Sequence, residues 1–307
     1  MRAPILALLA VAASCAEKRE PEAPVPMMDA KQAAAWRGKL VAERAEKDRD
    51  FAKSPTSVLA GIERFTPKAA AYLRVEGDDL VLDDAQGPAS LVAFEPVDAA
   101  AAKWMWHPLR QATGNPPAPV APAALTQPVR VEVTPRFGIE AQIYDGELVI
   151  RGFDHQRKEL LEFKQLSYFD PDPKWFVLAR LERYKDPTTI ELVTSRGLKK
   201  RYVRYGQLKF EVGGTPQTLT AFRAAGSTGK ELFVPFRDAT SGKQSYGAAR
   251  FLDLEEPADP AARVPLDFNE AYNPLCAYSN AYNCPMPPAE NTLTVAVTAG
   301  ERSFGAH

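Results

Sequence analysis

Histidine is nearly missing from this chain: three occur in 307 residues, and one of them is His307. Histidine-based acid–base or metal chemistry is thereby confined to His107 and His155. Net charge is also scarce. The 38 Lys and Arg against 39 Asp and Glu leave −1, so no global basic field draws in nucleic acid or an acidic membrane surface. No apolar run approaches the ~20 residues that span a bilayer. No internal repeat signals a propeller or solenoid. Catalytic signatures are lacking as well, with no Gly-x-Ser-x-Gly elbow and no His-Glu-x-x-His pair. Gly226-Ser227-Thr228-Gly229-Lys230 lacks the earlier glycine and the following Ser or Thr of a phosphate loop. It also sits between strand patterns rather than before a helix. Asp267-x-Asn269 begins like a calcium loop, but Ala271 removes the next oxygen ligand and the turn glycine is missing. No cofactor and no resident metal are expected.

What is present is ordinary for a globular protein, at 45% hydrophobic and 25% charged residues, and long enough for a real core. Proline, at 27 against 18 glycines, concentrates in two linker-like runs. Residues 1–14 read as a targeting segment, with Arg2 ahead of a short apolar stretch. Ala12-Ala13-Ser14-Cys15 resembles a bacterial lipobox, which predicts lipidation of Cys15; the alternative is a secretory signal cleaved near Ala16. Several acyl chains would anchor the chain stably. Ala16 and Glu17 slightly favour the outer membrane, facing the periplasm. The charged, proline-rich residues 17–27 read as a tether.

Residues 29–51 read as a helix. Asp29 can cap it with Gln32 three residues on, and Ser54-Pro55 ends it. Ala33, Trp36, Leu40 and Phe51 fall on one face. Arg44 and Lys47 share that face, and their heads are expected to stay in water. From Tyr72 onward the pattern is β. Asp145-Gly146 suits a two-residue type I′ turn. Leu208, Phe210 and Val212 alternate with Lys209 and Glu211, and Gly213-Gly214 turns the chain back. Leu293, Val295 and Val297 alternate with threonines, predicting a closing strand. Trp104, Trp106 and His107 read as an aromatic plug over a β core in preference to a ligand-stacking surface. The expected fold class is all-β, as an antiparallel sandwich or barrel-like sheets, with one N-terminal α-helix.

Residues 266–291 obey neither period, yet hold Cys276, Cys284, five asparagines and three tyrosines. If Cys15 carries lipid, the remaining two cysteines form a pair in an oxidising compartment, and a Cys276–Cys284 disulfide is expected. Free thiols and a metal pair are the alternatives.

Several clusters then resemble one family. They are Pro235-Phe236-Arg237-Asp238-Ala239-Thr240-Ser241-Gly242, Ser245-Tyr246-Gly247-Ala248-Ala249-Arg250-Phe251-Leu252, Leu266-Asp267-Phe268-Asn269-x-Ala271-Tyr272-Asn273-Pro274-x-Cys276, and Cys284-Pro285-x-Pro287-Pro288-x-Glu290-Asn291. They resemble the bacterial and archaeal family called domain of unknown function sixteen eighty-four, over about residues 163–304. Ala249 stands where that pattern has Gly, and Ser245 where it has Thr. The resemblance brings no activity with it. The chain divides into residues 1–14, 15–28, 29–55, 56–160 and 161–307, the last carrying this signature.

Asp238, Tyr246, Arg250, Asp267, Asn269, Tyr272, Asn273, Tyr278, Glu290 and Asn291 are the candidate binding or catalytic residues. The favoured reading has them satisfying one another and the backbone of a long irregular segment. The competing one has them lining a pocket, with Arg250 meeting an anion and Asp267 or Glu290 acting as base. Three classes follow. The first is an envelope binding or structural module with a small-molecule or envelope ligand, anchored to the membrane and not to nucleic acid. The second is an envelope hydrolase. The third is a carrier of an apolar ligand inside a barrel.

Overall fold

The computed structural model describes residues 28–110 and 121–305. The leader, Cys15 and most of the tether lie outside the described residues, as does part of the proline-rich run after Gly114. Helix α1 spans Ala30–Lys53 and starts at the expected box: the Gln32 N–H donates to Asp29 at 2.8 Å, and the Asp29 N–H to Gln32 at 2.9 Å. Ser54 takes an extended conformation at its C-terminus, as the following proline demands. No helix among the described residues is long and apolar enough to cross a membrane.

The rest is mainly antiparallel β, in three sheets. Strands β1 (Gly61–Phe65), β2 (Ala71–Glu76), β3 (Asp79–Asp83), β4 (Val92–Asp98) and β5 (Lys103–Pro108) come first. Next are β6 (Ala123–Ala124), β7 (Val129–Glu132), β8 (Phe137–Tyr144) and β9 (Glu147–Asp154). A five-stranded sheet runs β3-β2-β4-β5-β6, and a four-stranded one β1-β9-β8-β7. Their facing side chains, among them Leu73, Phe94, Trp104, Ile139 and Ile150, fill one core. Trp104 is therefore packed inside, as a plug. Asp145 and Gly146 both have positive φ, 53° and 75°, in the two-residue turn that pairs Tyr144 with Glu147.

After a short helix α2 (Lys158–Leu161), the third sheet is built from β10 (Phe176–Val193), β11 (Lys199–Val212), β12 (Thr215–Ala224), β13 (Glu231–Phe236), β14 (Arg250–Glu255) and β15 (Arg263–Asp267). Its order is β14-β13-β12-β11-β10-β15, and its two edges approach each other to give a nearly closed barrel. Leu208 and Phe210 point inward as their alternation requires. Phe268, from the patternless segment, plugs the interior. Its ring centroid lies 5.4 Å from Phe236, 5.6 Å from Phe210 and 6.2 Å from Trp175.

The closing strand predicted at 292–298 does not form; its ladder pairing is reduced to an isolated bridge between Arg237 and Thr292, while Leu293 and Val297 pack into the barrel core. The reason lies in its partners. The Val297 and Ala299 carbonyls accept from the Arg250 guanidinium, and the Val297 N–H donates to Asp238 at 2.7 Å. Side chains have taken the backbone groups that a ladder would use.

Candidate functional site

α1 lies against the signature segment through polar contacts. Trp36 Nε1 donates to Asp267 Oδ2 at 2.6 Å. The heads of Arg44 and Lys47 do not stay in water. Arg44 donates to the carbonyls of Phe169 at 3.2 Å and Asn269 at 3.1 Å, and its guanidinium covers the Tyr168 ring. Lys47 Nζ meets Glu301 Oε2 at 2.9 Å, a carboxylate fully shielded from solvent. Buried acceptors outcompete water here because an unpaired buried carboxylate is far costlier than an ordered lysine.

Glu301 is the hub. It also accepts from the Asn273 N–H at 2.9 Å and from the Tyr278 hydroxyl. Burial and this neighbouring carboxylate push the Tyr278 phenol well above its ordinary range, so it stays a proton donor. Burial and Glu301 likewise raise Tyr168. Gly300 sets the approach. Its φ is +74°, and a Cβ there would stand 2.6 Å from the Ala271 carbonyl. Spacing places Lys47 on the apolar face of the helix, but nothing local marks Glu301 as its partner. The two are 254 positions apart.

Beside this hub a cavity of about 290 Å³ opens between α1 and residues 269–272. Lys39, Arg44, Lys47, Tyr168, Glu270 and Tyr272 are on its walls. Burial, then Asp267, raises the proton affinity of Glu270. A second hollow of about 480 Å³ lies by Arg37, Phe169 and Asp170.

The other candidates are dispersed. Arg250 pairs with Asp238 inside the protein at 3.1 Å. Asp267 also accepts from the Asn269 N–H at 2.9 Å and from its side-chain amide at 2.8 Å. The Tyr272 hydroxyl donates to Asp253 at 2.6 Å. The Asn273 amide donates to the Arg302 carbonyl at 2.7 Å. Asn291 acts as a rung between strands. Its oxygen accepts the Thr220 N–H at 2.8 Å, and its amide donates to the Thr220 and Pro235 carbonyls at 2.9 and 2.8 Å. Glu290 pairs with Arg204 at 3.0 Å, partly exposed. Of the candidates, Asn269 and Tyr272 line the α1 cavity, whereas Arg250, Asp267 and Glu290 line neither hollow.

Tyr246 stands by the cysteines. Burial, then Cys276, pushes its phenol up to about 12. Where a disulfide was expected, Cys276 and Cys284 are free thiols in hydrogen-bond contact. Among the described residues no group of three or more His, Cys, Asp and Glu is placed to hold a metal ion.

Residues 161–302 match the family described as "Protein of unknown function (DUF1684)". The chain belongs to this family. It is also similar to an uncharacterized protein from Haloarcula marismortui solved by NMR. The two share 43% identity over 49% of this chain and 82% of that one, with a TM-score of 0.42. A search of curated proteins gave no match. The DUF1684 region thus holds the barrel, its plug and the Glu301 hub, while α1, outside the matched residues, supplies Lys47, Arg44 and Trp36.

Proposed function

We propose that this DUF1684 protein is a lipid-anchored binding module of the cell envelope. Cys15 carries the acyl chains, residues 16–28 form the tether, and the body faces the periplasm, at the outer membrane. The lipobox-like Ala12-Ala13-Ser14-Cys15 supports the anchor.

The observation that carries the binding role is the cavity between α1 and residues 269–272. Most of the signature's polar groups are spent on one another, and Arg44 and Lys47 on internal acceptors, whereas Lys39, largely exposed and loosely paired with Glu43 and Glu270, stands on the wall of a hollow flanked by Tyr168 and Tyr272. A ligand there would be small and carry a hydrogen-bond acceptor, with tyrosine rings against its apolar part. A binding reading fits better than hydrolysis, since Asp267 and Glu290 are engaged at separate places and no nucleophile–base pair accompanies them.

The test has two parts. Cells given labelled palmitate should label the wild-type chain and not Cys15→Ser, and the labelled protein should fractionate with the outer membrane. Purified protein screened by thermal shift against small envelope metabolites should give a ligand that stabilises wild type and not Lys39→Ala. Label retained by Cys15→Ser would remove the anchor; stabilisation indifferent to Lys39→Ala would remove the cavity.

A further inference from the structure

The turn at 194–197, between β10 and β11, meets the cysteine segment. Ser195 grips Cys284 twice. Its N–H donates to the Cys284 carbonyl at 2.8 Å, and its hydroxyl accepts from the Cys284 N–H at 3.2 Å. The same hydroxyl reaches the Cys276 thiol, as do the Tyr246 hydroxyl and the Cys284 thiol. The Cys276 N–H donates to Cys284 Sγ at 3.3 Å. Two sulfurs therefore share one hydrogen-bond cluster. Cys276 is half-buried on the single turn Leu275–Ala277, and Cys284 is buried.

We propose that Cys276 and Cys284 form a thiol–disulfide exchange site for an organic disulfide, with Cys276 as the attacking sulfur and Cys284 as the resolving one. The Cys276 thiolate attacks one sulfur of the incoming disulfide. A mixed disulfide forms on Cys276, and the first leaving thiolate takes up the proton that Cys276 gave to solvent. Cys284 then loses its proton and attacks Cys276 Sγ. This expels the second thiolate, which is protonated in turn. The incoming disulfide is reduced to two thiols, and the two cysteines are oxidised to one bridge.

The asymmetry of the pair suits these roles. Donors converge on Cys276. The Cys284 hydrogen bond, with smaller help from Ser195 and Tyr246, outweighs burial and holds its thiol below the ordinary range. The Cys276 contact, then burial, pushes the Cys284 thiol up. An attacking sulfur less buried than its partner is the arrangement that exchange requires. Tyr246 is a positioning residue. The surroundings also offer apolar footing. Leu275, next to Cys276, is 42% exposed, and Val193 and Leu198, at the ends of the same turn, are 52% and 49% exposed. The proposal concerns sulfur chemistry at this turn and is separate from the cavity at α1.

Full-length protein, reduced and freed of reductant, would be mixed with glutathione disulfide. A parallel arm would use a disulfide-linked peptide with apolar residues beside its cystine. Acid quenching, alkylation and peptide mass mapping read each cysteine separately, Cys15 included. Wild type should form the Cys276–Cys284 bridge, release two thiols per chain, and be reduced again by glutathione. Cys284→Ser should stop at a mixed disulfide on Cys276, and Cys276→Ser should react about tenfold more slowly. Tyr246→Phe should move the pH midpoint of Cys276 alkylation upward. A faster peptide arm assigns a polypeptide disulfide as substrate, and a faster glutathione arm a small one. Two results on the wild type alone overturn the proposal, whatever the folding of the variants. One is a bridge that glutathione cannot reduce. The other is Cys276 alkylated at neutral pH no faster than in the unfolded chain.

Discussion

Arg250 and Asp238 meet as an ion pair shielded from solvent, with Nη2 3.1 Å from Oδ1. Together they stand in for a β-strand. The guanidinium donates to the carbonyls of Val297 and Ala299, and the carboxylate accepts the Val297 N–H. Arg250→Ala leaves a buried carboxylate without its counter-charge, still hydrogen-bonded to Thr240, Ser241 and the Val297 N–H, and takes the guanidinium away from the carbonyls of Val297 and Ala299. Breaking such a pair costs about 3–5 kcal/mol, and urea unfolding should show a loss of that size. Replacing both members with apolar residues, Arg250→Met with Asp238→Leu, should not restore stability, because the backbone of 297–299 still lacks its partners. An unchanged unfolding midpoint for Arg250→Ala would falsify this structural role.

Glu256 makes acid sensitivity predictable. Burial alone would raise its proton affinity. Hydrogen bonds from Tyr205, Arg183 and Arg223 outweigh that and hold it at about 2, against an ordinary glutamate value of 4.5. A carboxyl depressed in the folded state stabilises the fold above its unfolded value, and that contribution is lost as pH falls through the folded one. Glu256→Gln should therefore be less stable than wild type at neutral pH. The gap should narrow as pH drops from 4.5 towards about 2. Unfolding midpoints across that range test it, and a gap that stays constant with pH would show that the charge of Glu256 contributes nothing.

Local chemistry was readable from the sequence where it acts locally. Asp29 and Gln32 marked the start of α1 by their spacing, and Asp145-Gly146 marked a turn because both positions need positive φ. Alternation exposed the inward face of β11. The same alternation misled at Leu293, Val295 and Val297, since no pattern along a chain reveals that a distant arginine and aspartate will take its backbone groups. Lys47 and Glu301 were illegible for the same reason. Lys47 lies on the apolar face of α1 with its head expected in water, Glu301 looks like a surface charge, and only the fold across 254 positions makes them partners. The 266–291 segment stood out by composition, but nothing in its letters told that Phe268 would plug the barrel while Asn291 served as a rung between strands.

Trp36 and Asp267 give the most direct test of how α1 is held. The indole N–H meets the carboxylate at 2.6 Å, and Asp267 otherwise has only Asn269 as a polar partner of note. Trp36→Phe keeps an aromatic ring at this position and removes the donor. A hydrogen bond to a charged group contributes about 1.5–3 kcal/mol, and the loss should fall on helix docking more than on the barrel. Hydrogen exchange should accordingly speed up along Ala30–Lys53 while β10–β13 keep their protection. The cavity beside Lys47 should loosen with it, since α1 forms one wall. If α1 exchanges as slowly in Trp36→Phe as in wild type, then Arg44 and Lys47 hold the helix without help from the indole.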